Sequence, residues 1–93
     1  MKYTVKFTSR FKKDYKLLKK RHWDMSLLEK VVELLAEGKK LPPYYRDHAL
    51  SGKLSGLRDC HIAGDWVLLY EVFDDVLVLV MNRTGTHDDV NLE

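Results

Sequence analysis

With 93 residues, 45% of them hydrophobic, the chain has the composition of one small globular domain spanning 1–93, neither disordered nor membranous. Its longest apolar run falls well short of the roughly 20 residues that cross a bilayer, no secretory leader pattern is seen, and the single cysteine, Cys60, excludes an internal disulfide framework; the cytoplasm is the expected location. The net charge of +2 conceals a division, because residues 1–46 carry 13 Lys/Arg against 5 Asp/Glu while 47–93 carry 3 against 9, which joins a basic half suited to a polyanion to an acidic half.

The elements read in chain order. KYTVKFT (2–8) alternates, with Tyr3, Val5 and Phe7 on one side, the period of a half-buried strand. Ser9 offers a cap for a helix over Arg10–His22, in which Phe11, Tyr15, Leu18 and His22 recur at helical spacing. Lys12, Lys13, Lys16, Lys19 and Lys20 fall largely on its other faces, and His22 is read as a structural cation at the helix end. Asp24 or Ser26 can cap a second helix whose Leu27, Leu28, Val31, Val32, Leu34 and Leu35 form a broad apolar face, and Gly38 ends it. Leu41 to Gly56 holds both prolines and reads as an irregular loop containing His48.

The remainder reads as a three-stranded meander turning near Ala63–Asp65 and at Asp74–Asp75. Pairing across the second turn would place Trp66, Leu68, Tyr70 and Val72 on one face with Leu77, Leu79, Met81 and Arg83. The expected order is β-α-α-β-β-β, an α+β fold with a helical hairpin packed on an antiparallel sheet.

The chemistry lies in the acidic half. RDCHIAGDW (58–66) sets Asp59, His61 and Asp65 at the threshold of the most apolar stretch, and His48 and His87 flank it in sequence. An imidazole titrates near neutrality and a carboxylate can orient or charge it, so this set points to acid–base chemistry. Alternation turns Cys60 away from Asp59 and His61, which makes it a small core residue. A metal site is the competitor: Asp59 and His61 would share one strand face, with His48, Asp65 or His87 completing a shell. The spacing matches no specific metal motif, nor is there a phosphate-binding glycine loop, and metal-free chemistry is expected, with no cofactor.

DH at Asp47–His48, L-x-G at Leu50–Gly52, R-D-x-H at Arg58–His61, D-W at Asp65–Trp66 and R-T-G-T-H at Arg83–His87 resemble, in this order, the YafQ branch of the RelE/ParE toxin superfamily. The resemblance covers nearly the whole chain. It implies the toxin of a type II toxin–antitoxin pair, a ribosome-dependent endoribonuclease cutting mRNA in the ribosomal A site. It implies a catalytic set of His48, Asp59, His61, Asp65 and His87, and as partners a cognate DinJ-like ribbon-helix-helix antitoxin, the ribosome and mRNA. Metal-free cleavage needs a base for the 2′-hydroxyl proton, charge stabilisation at phosphate and an acid for the leaving 5′-oxygen. His87 is read as the acid and His48 or His61 as the base. Lys12, Lys13, Lys16, Lys19, Lys20 and Arg21 would dock on ribosomal RNA, and Arg83 would contact phosphate or pack at the strand end. The rival readings are a ParE-like toxin that acts by binding a target such as gyrase, and a degenerate antitoxin-binding scaffold. One departure stands out: the family commonly has an aromatic residue shortly after the last histidine, where this chain has Val90, Asn91 and Leu92.

Overall fold

The computed structural model describes residues 1–90, so Asn91 and Leu92, part of that departure, lie outside the described residues. The elements run β1 (Thr4–Phe7), α1 (Ser9–Lys20), α2 (Met25–Ala36), β2 (His48–Ala49), β3 (Arg58–Ala63), β4 (Trp66–Phe73), β5 (Val78–Thr86) and α3 (His87–Val90), with 3₁₀ turns at Pro43–Tyr45 and Gly52–Leu54. The expected α+β layering is present, and the loop over 41–56 contributes a two-residue strand.

Side-chain caps set the helix starts. Thr8, one residue before the expected Ser9, accepts from the Phe11 N–H at 3.0 Å, and Asp24 accepts from the Ser26 N–H at 3.1 Å. Each satisfies a donor left open at a helix start, worth ~1 kcal/mol. Both helices end in a Schellman arrangement. After α1, His22 takes φ 65°, its N–H on the Lys19 carbonyl and that of Trp23 on the Leu18 carbonyl. His22 is therefore an exposed helix terminator, not a member of the apolar stripe.

The sheet order is β1-β5-β4-β3-β2. β3, β4 and β5 pair antiparallel as expected, β2 adds an antiparallel partner to β3 from a segment expected to be loop, and β1 runs parallel to β5, with Thr4 opposite Val78, so the sheet is mixed. Hydrophobic alternation selects the face a strand buries and carries no information on the direction of its neighbour. A second difference lies within β5. Tyr70 pairs with Met81 and Val72 with Leu79, which puts these four on one face as expected, but Leu69 meets Arg83, which leaves Asn82 as an extra residue. This bulge moves Arg83 off the face of Met81. Leu77, expected in the strand, sits in the preceding turn at φ 54°.

The principal core lies between the helices and one sheet face, where Phe11, Leu18, Leu28 and Val31 meet Cys60, Leu68, Tyr70 and Met81. On the other face Val67, Leu69 and Val90 pack together with Leu50. Trp66 to Tyr70 are consequently all buried, since alternate residues are covered by different layers. β1 ends opposite Met81, and beyond it α1 covers the edge of β5: Asp14 accepts from the Arg83 Nε at 2.8 Å and from the Thr84 N–H at 3.1 Å.

Candidate active site

Strand alternation divides β3 between two environments. Cys60 and Ile62 enter the helix-side core, so Asp59 and His61 emerge on the opposite face. Burial pushes the Cys60 thiol up, which leaves it no nucleophile and matches its expected place in the core.

Asp59 is the hub of the site. It is 3% exposed, and its Oδ1 has no hydrogen-bond partner among the described residues. Its Oδ2 lies 3.8 Å from Nε2 of His48, its direct partner across the β2–β3 pairing. Burial pushes its carboxyl above the ordinary range, and His48, His61 and His87 oppose that push. One carboxylate oxygen of Asp59 and one ring nitrogen each of His61 and His87 lie within 4.8 Å of one another. The rings of His61 and His87 are 5.2 Å apart, centre to centre.

Each outer histidine is fixed through Nδ1. His87 opens α3, which starts in a reciprocal cap: Asp89 accepts from the Thr86 N–H at 3.3 Å, and the Thr86 hydroxyl accepts from the Asp89 N–H at 3.1 Å. Gly85 makes this corner possible, because at φ 149° an added Cβ would sit 3.1 Å from the Asp89 Cβ. The carboxylate of Asp65, in the β3–β4 turn, lies 2.5 Å from the His87 Nδ1. His48 donates its Nδ1–H to the Arg46 carbonyl at 2.7 Å. Between these two residues, Asp47 accepts from Arg58 at 3.3 and 3.1 Å and from the buried Tyr70 hydroxyl at 2.5 Å. The segment bearing His48 is thereby tied to β3 and β4.

A cleft of about 500 Å³ opens at this end of the sheet, bordered by Tyr44, Arg46, His61, Gly64, Asp65 and His87. The structure thus gathers all five expected residues: His61, Asp65 and His87 on the cleft, Asp59 beneath the imidazoles and His48 beside Asp59. It does not bring the basic helix there. Lys12, Lys13, Lys16, Lys19, Lys20 and Arg21 are exposed on the helical layer, and none borders the cleft. Of the two expectations for Arg83, the contacts match packing at the strand end: the bulge delivers it to Asp14, and it also donates to the Asp89 carbonyl at 3.1 Å, so it ties α1 to β5 and α3. Sequence reading missed Tyr44 and Arg46, which sit in an irregular loop without periodicity. It also missed Asp47 as the anchor of that loop, although the adjacency of Asp47 to His48 was a signal.

A small α+β protein whose open sheet face carries a buried carboxylate ringed by imidazoles is equipped for acid–base chemistry in a shallow cleft. The family described as bacterial toxin of type II toxin-antitoxin system, YafQ, matches residues 3–91, and the chain belongs to that family. The mRNA interferase toxin YafQ of Escherichia coli K12 is 40% identical over 84 residues, which is 89% of either chain. YafQ in the E. coli DinJ–YafQ complex superposes with a TM-score of 0.86 at 38% identity, over 95% of this chain and 97% of that one. A metal-bound toxin from Helicobacter pylori superposes at 0.88 with 38% identity, over 95% and 98% of the two chains.

Proposed function

We infer that this protein is the toxin of a type II toxin–antitoxin pair, an endoribonuclease that cleaves mRNA and is held inactive by a cognate DinJ-like antitoxin. Cleavage takes place in the ribosomal A site, and hence in the cytoplasm, where the ribosome supplies the positioning that so small an enzyme lacks. The observation that carries this reading is the convergence of Asp59, His61 and His87 on an open face, with His87 tied to Asp65. A toxin acting by binding alone, or a scaffold for an antitoxin, has no use for a buried carboxylate ringed by three imidazoles.

The chemistry divides between the two anchored rings. His87 holds its Nδ1 against an anion, which leaves Nε2 to donate to the departing 5′-oxygen. His48 directs Nδ1–H to a neutral carbonyl, which leaves the Nε2 lone pair to take the 2′-hydroxyl proton. The freed 2′-oxygen attacks phosphorus, the P–O5′ bond breaks and a 2′,3′-cyclic phosphate remains. His61 stands beside His87 and stabilises the charge gathering on the phosphoryl oxygens. Asp59 holds the imidazoles together, and Lys12, Lys13, Lys16, Lys19, Lys20 and Arg21 dock the toxin on ribosomal RNA from the far layer.

The test adds purified protein to a translation reaction and maps mRNA 5′ ends beside a His87→Ala control. Cuts made by the parent and lost in the control are expected; cuts equal in both, or absent from both, would overturn the reading.

A second reading follows from the same three residues. Ligand atoms around one ion stand ~3.5 Å apart, so Asp59, His61 and His87 fit a metal after small side-chain movements. Such an ion would occupy nitrogens that proton transfer requires. Cleavage that persists in chelator and falls on adding Zn²⁺ or Cu²⁺ supports acid–base chemistry, whereas cleavage abolished by chelator supports the metal.

A further inference from the structure

The rim of the cleft presents an aromatic face and a cation on one turn of chain. Tyr44, in the 3₁₀ turn Pro43–Tyr45, is 71% exposed, so it contributes little to the core. Its ring is nevertheless held in place. It lies 4.5 Å from the ring of Tyr45 at 36° between planes, and Tyr45 is itself buried in the principal core. Pro42 and Pro43 stiffen the approach to the turn. One face of Tyr44 is thus backed by a fixed ring while the residue borders the same cleft as His61 and His87. Arg46 follows at φ 51°, exposed, and among the described residues it pairs with no carboxylate, whereas Arg58 and Arg83 are both engaged.

A phosphodiester lying against His61 and His87 sends its flanking bases to the walls of the cleft, and single-stranded RNA is held by stacking its bases on aromatic rings and its phosphates on guanidinium groups. His61 and His87 are taken up by the scissile phosphate and the other charged groups of the site, Asp59 and Asp65, are acidic, so a neighbouring phosphate needs a cation of its own. We propose that Tyr44 is the nucleobase-stacking residue of this toxin and Arg46 its phosphate contact, together setting how tightly the mRNA codon is held and which base is preferred next to the cut. The proposal rests on the reading of this cleft as the site of mRNA cleavage and assigns its substrate-binding wall.

Steady-state cleavage on programmed ribosomes tests it with Tyr44→Ala, Tyr44→Phe and Tyr44→Trp, folding being checked by thermal melts. Tyr44→Ala should raise KM roughly tenfold with kcat changed much less, and flatten the base preference; Phe and Trp should restore both, since stacking needs a ring and no hydroxyl. Arg46→Gln should weaken binding across all codons and lower its salt dependence. In a non-cleaving His87→Ala background, 2-aminopurine placed in the A-site codon should be quenched when toxin binds and stay bright with Tyr44→Ala. A Tyr44→Ala KM within twofold of the parent, or failure of Tyr44→Phe to restore it, overturns the stacking assignment while His87→Ala remains inactive. If His87→Ala cleaves like the parent, the site reading falls and the stacking assignment falls with it.

Discussion

On the helix side of β3 and β4, Cys60, Leu68 and Tyr70 lie under α1 and α2 and are sealed from water, whereas one residue along β3 Asp59 and His61 emerge on a face whose apolar cluster, among the described residues, is the small group Val67, Leu69, Val90 and Leu50. The smaller cluster cannot seal its face. The uncovered part is where a buried carboxylate and three imidazoles can coexist with a cleft open to a substrate. The contrast separates two kinds of cost: loss of a helix-side residue should cost stability, and loss of an open-face residue should cost activity.

The largest expected effect is on chemistry alone. His87→Ala should reduce cleavage about 10²–10⁴-fold, as for loss of a general acid, and shift stability by only about 0.5 kcal/mol, since the ring is partly exposed. A parallel drop in melting temperature would erase the distinction between the faces. Next, Leu68→Ala should destabilise by roughly 2–5 kcal/mol in urea denaturation, because it opens a cavity at a fully buried site. The molecules that remain folded should cleave normally.

Charge reversal of Lys12, Lys13 and Lys16 together tests a third region, the outer surface of α1. Ribosome binding should weaken tenfold or more and its salt dependence should flatten, with stability nearly unchanged because all three are exposed. Binding equal to the parent's in a sedimentation assay would remove α1 from the ribosome contact.

The smallest effect is the most diagnostic of the open face. Burial holds the Asp59 carboxyl above its ordinary range, so the unfolded chain ionises it at lower pH than the folded protein does. Its contribution to stability is therefore intact below the ordinary aspartate range and is lost as pH rises through that range towards the raised value. Asp59→Asn should accordingly be more stable than the parent at pH 7 while cleaving poorly, and the advantage should shrink as pH falls into the ordinary aspartate range. A variant that melts lower at pH 7 would mean that the imidazoles outweigh burial and hold the ionised carboxylate in the fold.

Much of this division was legible in sequence. Helical spacing and capping residues located both helices to within a residue or two, and the period of two placed Cys60 in the core and Asp59 and His61 together on the other face. Local steric and hydrogen-bonding rules act on neighbours along the chain and can be read without a structure. Motif order made the five His and Asp residues a set, though nothing local explains why His48, about ten residues before Asp59, should be its cross-strand partner.

What remained depended on contacts between distant segments. The parallel pairing of β1 with β5 follows from where the helical hairpin returns the chain, and alternation carries no sign of strand direction. The bulge at Asn82 reverses the side on which Arg83 emerges and gives it to Asp14, 69 positions away in sequence; a single extra residue inverts every later face, and only the partner strand reveals it. The His87–Asp65 pair and the cleft wall of Tyr44 and Arg46 exist because three loops meet at one end of the sheet. Sequence alone determined the elements, the split of β3 between core and chemistry, and the residue types for acid–base work. The tertiary structure decided that Arg58 and Arg83 are paired with carboxylates, which carboxylate holds which imidazole, and where the cleft opens, because each depends on groups far apart in the chain being brought together.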